Sequence, residues 1–348
     1  MRTWTVRALG YDGLAIEERP DPQPGPGQVL LRMLSASLNS RDLQVVHGVY
    51  PGSQLPLVPV SDGVGEVIAV GEGVTRCAVG DRVSPHLFQT WLRGPVTGAD
   101  WGNALGAGAK DGILCELAVF SQEHVVKVPE HLSDDEASTL TIAGLTAWQA
   151  LFVADSVKAG DTILVQGTGG VSIFGLQLGV AAGCRVIVTS SSEEKLARAR
   201  ELGAWATINY RETPEWHVEA KRLTGGAGVH HVIEVAGDHK RSIGALCIGG
   251  GISTIGYLQN LSFGGDAGAA GRAGVHETDV MGLILTNGRI FGIACGNRDS
   301  YEDMNRAIEI AGFHPAVDRT FAFEEAVDAL RYLESGAHFG KVCIRIAG

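Results

Sequence analysis

Between Asp161 and Lys195 the chain reads strand, glycine turn, helix, strand, and few folds accommodate that order. Thr162 to Val165 is a short apolar run rich in β-branched residues, as a buried parallel strand requires. Gly167-Thr168-Gly169-Gly170-Val171-Ser172 follows, then a helical pattern from Val171 to Ala182 and a second β-branched run from Arg185 to Thr189. This is one βαβ unit. Each position of the turn has its own reason. Gly167 lets the chain leave the strand sharply, Gly169 lets the backbone approach a pyrophosphate, and Ser172 keeps the third position small. A pyrophosphate would then rest on the helix N-terminus, where unpaired N–H groups and the helix dipole favour an anion. A glycine pattern alone carries little weight in a chain with 48 glycines; its place after a strand and before a helix gives it weight.

The end of the second strand distinguishes between dinucleotides. An NAD site carries Asp or Glu about 20 residues past the first glycine, accepting from the ribose 2′-OH. Here the strand ends in Ser190-Ser191-Ser192, with Lys195 beyond. Hydroxyls and an ammonium suit a 2′-phosphate, so NADP(H) is expected. Glu193 and Glu194 belong to the first turn of the next helix, where acids are ordinary.

A chain of 348 residues can hold two domains with sizeable cores. Its 28 basic and 39 acidic residues give a net charge of −11, which argues against nucleic acid or an anionic membrane as partner. Met1-Arg2-Thr3-Trp4 lacks the apolar segment of a signal peptide. The longest apolar stretch, Val171 to Val188, is too short and polar for a membrane span. Cys77, Cys115, Cys184, Cys247, Cys295 and Cys343 are scattered without a C-x-x-C, which implies free thiols and a cytoplasmic protein.

Taken in order, residues 1 to about 130 show β patterning at Thr3–Leu9, Leu14–Glu18, Val29–Ser37 and Val64–Val70, with frequent turns, as in a small barrel or sandwich. Ser84 to Gly112 is a long connection. Ser133, followed by three acids, marks a helix start, and Leu145–Val153 is a second helix. After the first βαβ unit, helices at Glu193–Leu202, Trp216–Leu223, Asp238–Leu246 and Thr278–Leu285 alternate with strands at Ala206–Ile208, His231–Val235, Ile252–Tyr257 and Ile290–Ala294. Six strands alternating with helices predict an α/β, doubly wound parallel sheet. Gln259–His276 interrupts the order with glycines and is expected to be a mobile loop bordering the substrate cleft. Helix patterns at Tyr301–Ala311 and Glu324–Leu333 and a strand at Lys341–Ile346 close the chain.

These segments together resemble the medium-chain dehydrogenase/reductase superfamily. The resemblance rests on Pro24-Gly25-Pro26-Gly27-Gln28-Val29, Leu38-Asn39-Ser40-Arg41-Asp42, Gly48-Val49-Tyr50, Ser61-Asp62-Gly63-Val64-Gly65-Glu66-Val67 and Gly80-Asp81-Arg82-Val83. It continues through Ala143-Gly144-Leu145-Thr146-Ala147-Trp148, the glycine turn, Ile208-Asn209-Tyr210-Arg211 and Gly340-Lys341-Val342. It implies a GroES-like β-barrel catalytic domain in two pieces, 1–143 and 294–348, around a Rossmann domain at 144–293, in a homodimer. The family's zinc-dependent alcohol dehydrogenases place Cys, His and Glu where this chain has Asn39, Ser61 and Asp62, and the loop that would carry a structural zinc has Cys115 alone. Since serine is a poor ligand and zinc needs three protein ligands, no zinc is expected. The chain is most similar to the zinc-free quinone oxidoreductases and enone reductases, although chains like it are often labelled alcohol dehydrogenase. In several NADPH enzymes of that branch a Lys and a Tyr fifteen residues apart reach the 2′-phosphate, the spacing of Lys195 and Tyr210 here.

The resemblance makes Asn39 and Tyr50 the catalytic candidates, as donors to a substrate oxygen, and Thr146 a neighbour of the nicotinamide. The cofactor set is then Thr146, Gly167, Thr168, Gly169, Gly170, Val171, Ser190, Ser191, Lys195, Tyr210 and Gly256. Asp62 reads as structural and Arg41 as a surface or domain-bridging charge. The His230-His231 pair alternates faces of a strand and does not suit chelation. The expected activity is NADPH-dependent hydride transfer to a quinone or an α,β-unsaturated carbonyl. Two alternatives stay open: a zinc-free alcohol dehydrogenase or carbonyl reductase, and a non-enzymatic dinucleotide-binding structural protein.

Overall fold

A computed structural model describes residues 1–108, 110–256 and 278–347. Two units emerge, Met1–Leu145 together with Asn297–Gly348, and Thr146–Gly296. The segment Gln259–His276, expected as a mobile loop, lies outside the described residues.

The first unit begins with an antiparallel pair, β1 (Arg2–Val6) and β2 (Leu14–Glu18). Its main strand is β3 (Gln28–Ser37), followed by a helix, α1 (Ser40–Val46). Then come β4 (Asp62–Val70), β5 (Arg82–Pro85), β6 (Leu117–Ser121), β7 (Val125–Lys127) and the one-turn α2 (Asp134–Ala137). The acids after Ser133 behave as expected: Ser133 and Glu136 form a reciprocal capping box. The long connection after β5 is a packed loop. Phe88 meets Trp91 and Trp101 edge-on, with ring centroids 5.8 and 5.2 Å apart, and a single turn at Gly98–Trp101 is capped by Thr97 and Asp100.

The second unit runs β8 (Thr162–Gln166), α3 (Gly170–Ala181), β9 (Arg185–Ser190), α4 (Glu193–Glu201), β10 (Ala206–Asn209), α5 (Trp216–Leu223), β11 (Val229–Glu234), α6 (His239–Ala245), β12 (Leu246–Thr254), α7 (Val280–Leu285) and β13 (Arg289–Gly292). The six strands lie in the order β10-β9-β8-β11-β12-β13, all parallel. The chain therefore runs outward from β8 to one edge and restarts beside it at β11. This is the switch of a doubly wound sheet, and a crevice opens there at the strands' carboxyl ends. All five residues of β8 are buried, as strands covered on both faces must be. β12 starts six residues before the expected Ile252. Glycine is required at Gly251, where a Cβ would stand 2.2 Å from Asp155 Oδ2.

The chain then re-enters the first unit through α8 (Arg298–Ala311), β14 (Val317–Ala322), α9 (Ala326–Glu334) and β15 (Lys341–Arg345). The unit's sheet has the order β14-β15-β3-β4-β5-β7, with β6 also pairing β3. Ser37, at the end of β3, is opposite Asp62 on one side and Cys343 on the other. Strands from the start and the end of the chain thus flank one position.

Candidate functional site

The two candidate regions are described unit by unit. In the second, Gly167 takes φ of 72°, a conformation open to glycine and costly for other residues. A Cβ built on Gly167 or Gly169 meets nothing within 4 Å, so the space in front of the turn is open. Gly169 is the N-cap of the twelve-residue α3, whose first N–H groups follow at Gly170 and Val171. Ser172 donates its hydroxyl to Gln166 O at 2.6 Å. Close helix–sheet packing falls to two glycines that sequence reading passed over. A Cβ on Gly175 would stand 2.5 Å from Ile233 Cδ1, and one on Gly179 would stand 2.6 Å from Ile163 Cδ1. Their i, i+4 spacing on one helix face was the available signal.

Behind the turn, Gln166 and Glu234 bridge β8 and β11 at the switch. Gln166 Nε2 donates to Glu234 Oε2 at 2.7 Å and to Ser242 Oγ at 2.9 Å. Glu234 Oε1 accepts from Ala236 N and Gly237 N, each at 2.8 Å. Glu234 is fully buried and has a partner on both oxygens, a carboxylate spent on holding the strand ends together.

Ser190 ends β9, and Asn209 pairs with it across β10. Tyr210 N donates to Ser190 O at 3.1 Å. Ser192 caps α4 by accepting from Lys195 N. Ser190, Ser191, Lys195 and Tyr210 therefore gather at one corner of the sheet's carboxyl edge. Thr146 is buried, and its hydroxyl finds no partner among the described residues. Gly256 follows β12, where a Cβ would stand 2.7 Å from Val235 O. These groups fit a dinucleotide phosphate chain: open glycine backbone, a helix N-terminus, and hydroxyls at the strand tip, with the nearby Glu193 carboxylate accepting from Asn209 Nδ2 at 2.8 Å.

His230 and His231 separate as expected of neighbours on a strand. His231 is fully buried, with Nδ1 at 2.8 Å from Asp155 Oδ2 and Nε2 at 3.1 Å from Ser253 Oγ. The atom order is that of a hydrolytic triad. Ser253 is itself fully buried and donates to Ala150 O at 3.3 Å, so the trio ties strands together.

In the first unit the candidates meet around Asn39, which caps α1. Asn39 N donates to Asp42 Oδ2 at 2.7 Å, the first half of a capping box. Asn39 Nδ2 donates to Asp62 Oδ2 at 2.9 Å. Asn39 Oδ1 accepts from Lys341 Nζ at 2.7 Å, and the same ammonium donates to Leu38 O at 2.7 Å. Ile142 N donates to Asp62 Oδ2 at 3.2 Å. Asp62 and Lys341 are 0% and 3% exposed. Burial pushes the Asp62 carboxyl up to about 7, against the opposing pull of Lys341 and Asn39. Burial likewise holds the Lys341 ammonium below its ordinary range, with Asp62 working the other way. The Oδ1 atoms of Asp42 and Asp62 are buried without a partner among the described residues.

The approach to this cluster is strained. Val60, β-branched and fully buried, sits at φ of 68°, held by Ile113 N donating to its carbonyl at 2.8 Å. Such a backbone costs about 1–3 kcal/mol, and it presents Ser61 and Asp62 to Arg41 and Asn39. Arg41, read as a surface or domain-bridging charge, is instead part of the cluster within this unit. Its Nη1 donates to Ser61 Oγ at 2.5 Å and to Leu105 O at 2.8 Å, and its guanidinium lies 4.9 Å from the Tyr50 ring centroid. Asn39, Arg41, Tyr50, Ser61, Asp62 and Lys341 thus form one group. Lys341 is the residue sequence reading missed; the Gly340-Lys341-Val342 motif was seen, but its partner lies about 300 residues away.

Zinc suits these residues poorly. A carboxamide and a hydroxyl stand where thiolate and imidazole would be needed, and the carboxamide oxygen is already bound to an ammonium. Among the described residues no group of three His, Cys, Asp or Glu could hold a metal ion. All six cysteines are free, and no described helix is long and apolar enough to cross a membrane.

Comparison with known proteins agrees with the two-unit architecture. Residues 25–130 match the alcohol dehydrogenase GroES-like domain, and residues 170–310 match the zinc-binding dehydrogenase domain. A zinc-type alcohol dehydrogenase-like protein of Schizosaccharomyces pombe is 43% identical over 97% of this chain and 96% of its own. A quinone oxidoreductase of Pseudomonas aeruginosa is 35% identical over 59% of this chain and 58% of its own. A crystal structure provisionally assigned as an alcohol dehydrogenase from Sinorhizobium meliloti superposes with a TM-score of 0.88 at 39% identity, covering 99% of this chain and 98% of that one.

Proposed function

The chain belongs to the medium-chain dehydrogenase/reductase superfamily and is an NAD(P)-dependent oxidoreductase, and from that premise we propose that it is a zinc-independent, NADPH-dependent reductase of quinones or α,β-unsaturated carbonyls. One observation carries the proposal: where zinc enzymes need metal ligands, this chain has a carboxamide clamped between Asp62 and Lys341. Alcohol oxidation requires an alkoxide to be stabilised, which the zinc enzymes achieve with the metal as Lewis acid. Conjugate reduction asks less of the protein. NADPH, which the glycine turn at Gly167–Val171 would hold, would supply the hydride for the β-carbon. The π electrons move to the carbonyl oxygen, and hydrogen bonds stabilise the enolate. A proton from solvent at the α-carbon completes the saturated carbonyl. Asn39 and Tyr50 serve as the donors to that oxygen.

The NADPH preference is supported by Ser190, Ser191, Lys195 and Tyr210 gathered at one corner; the Glu193 carboxylate nearby accepts from Asn209 Nδ2 at 2.8 Å. The free thiols fit a cytoplasmic protein. A homodimer is supported by the edge of the second unit, where β13 ends the sheet and α7 exposes Val280, Met281, Ile284 and Leu285, the last 72% exposed. Steady-state kinetics on an enone and its saturated alcohol, each with both nicotinamides, tests the reading. Enone or quinone reduction with NADPH is the expected result. Efficient alcohol oxidation without either reduction overturns it.

A further inference from the structure

An asparagine carboxamide looks nearly symmetric, and which end is donor must be read from its partners. At Asn39 the partners leave no choice. An ammonium only donates, so the atom 2.7 Å from Lys341 Nζ is the oxygen. The Asp62 oxygen that also accepts from Ile142 N can take the Asn39 N–H at 2.9 Å whether or not its other oxygen is protonated. One amide hydrogen and one lone pair are thereby used, and the second amide hydrogen of Asn39 remains. The backbone of Asn39 is fixed as well, as the cap of α1, by Asp42. Lys341 has no solvent to return to, since it is 3% exposed, and its other named contact is Leu38 O, one residue before Asn39. Its ammonium is spent on the segment that carries the carboxamide. A cation on the amide oxygen also polarises the amide and strengthens its remaining N–H as a donor.

We propose that Lys341 and Asp62 are positioning residues: they lock the Asn39 carboxamide in one orientation and leave its second amide hydrogen as the donor to the substrate's carbonyl oxygen. This rests on the reductase reading given above. Lys341 does not touch the substrate; it acts through Asn39, so its loss and the loss of Asn39 cannot add.

The experiment is a double-mutant cycle of Lys341→Met and Asn39→Ala on the full-length protein, with NADPH and an enone or quinone that the unmodified protein reduces. Lys341→Met is expected to lower kcat at least tenfold while the KM for NADPH changes less than twofold, and the double variant is expected to be no slower than Asn39→Ala alone. Additive losses, or an unchanged kcat, overturn the proposal. A second measurement does not need turnover. In the 15N-labelled protein the Asn39 side-chain amide, assigned through Asn39→Ala, is expected to show its Asp62-bonded hydrogen protected from exchange, and that protection is expected to be lost in Lys341→Met. Unchanged amide signals overturn the proposal even in a protein that reduces none of the substrates. Absence of reduction by the unmodified protein, with the amide locked and released as expected, overturns the reductase reading and leaves the lock standing.

Discussion

The glycine turn and the carboxamide cluster are built in opposite ways. The turn uses consecutive residues, Gly167 to Val171, and offers backbone N–H groups. The cluster uses Asn39, Asp62 and Lys341, drawn from both ends of the chain, and works through side chains. What the turn needs is local: a positive φ, open space and a helix start. What the cluster needs is sheet register, because Asp62 and Lys341 reach Asn39 only when β4 and β15 flank the end of β3. A backbone site tolerates change around it and fails when its own glycines change. A side-chain site fails when any of several distant residues is lost.

The sharpest test of that contrast is Glu234, on which the turn's supporting strands depend. Glu234→Ala leaves Gln166, Ala236 N and Gly237 N without their acceptor, and the expected loss of stability is about 3–5 kcal/mol, read by denaturant unfolding. A loss below about 1 kcal/mol would mean that the turn is self-sufficient.

Gly167→Val comes next. A β-branched residue at φ of 72° is strained, and its side chain enters the open space before the turn. NADPH affinity is expected to fall at least about 100-fold, about 2.7 kcal/mol, with Asn39→Ala leaving affinity nearly unchanged. Calorimetric titration of both variants checks the division of labour.

Ser190→Asp places a carboxylate at the strand tip. Losing a charge-assisted contact costs about 1.5–3 kcal/mol, so NADPH affinity should drop by about tenfold or more relative to NADH. Equal affinities of the two nicotinamides in the unmodified protein would remove Lys195 and Tyr210 from the site.

A further test concerns pH. Asp62 is raised in the folded protein from 3.8 to about 7, so folding takes up a proton between those values. The stability this gives is fully present below about pH 4 and is lost as pH rises through about 7. In Asp62→Asn that window should be flat, and the variant should gain on the unmodified protein as pH rises from 4 to 7. Parallel unfolding curves across the range would show that Asp62 is not shifted.

The same contrast explains what could be read beforehand. The doubly wound sheet was legible because β-branched runs alternate with helical patterns, and each strand end at the site carries its own signal within a few residues. The pairing of Lys195 with Tyr210 came from the family resemblance and has no signal of its own in the sequence. In the first unit the strands were legible, but α1 was not. Its seven residues follow Asn39 directly, too short for a periodicity to show, and only the Asn39–Asp42 capping box marks it. Arg41 read as a surface charge because nothing nearby in sequence pairs with it; its partners are Ser61, Leu105 and the ring of Tyr50. The early start of β12 was not legible, because the close approach of Asp155 that demands glycine at Gly251 appears only in three dimensions.

The separation between Asn39 and Lys341 also has a meaning in time. The two are 302 positions apart, and ribosomes add about 5–20 residues per second. Asn39 therefore waits about 15–60 s for its lysine, and every residue of the nucleotide-binding unit is synthesised within that wait. A nascent chain therefore completes the unit that carries the glycine turn well before it can orient the carboxamide proposed to act on substrate.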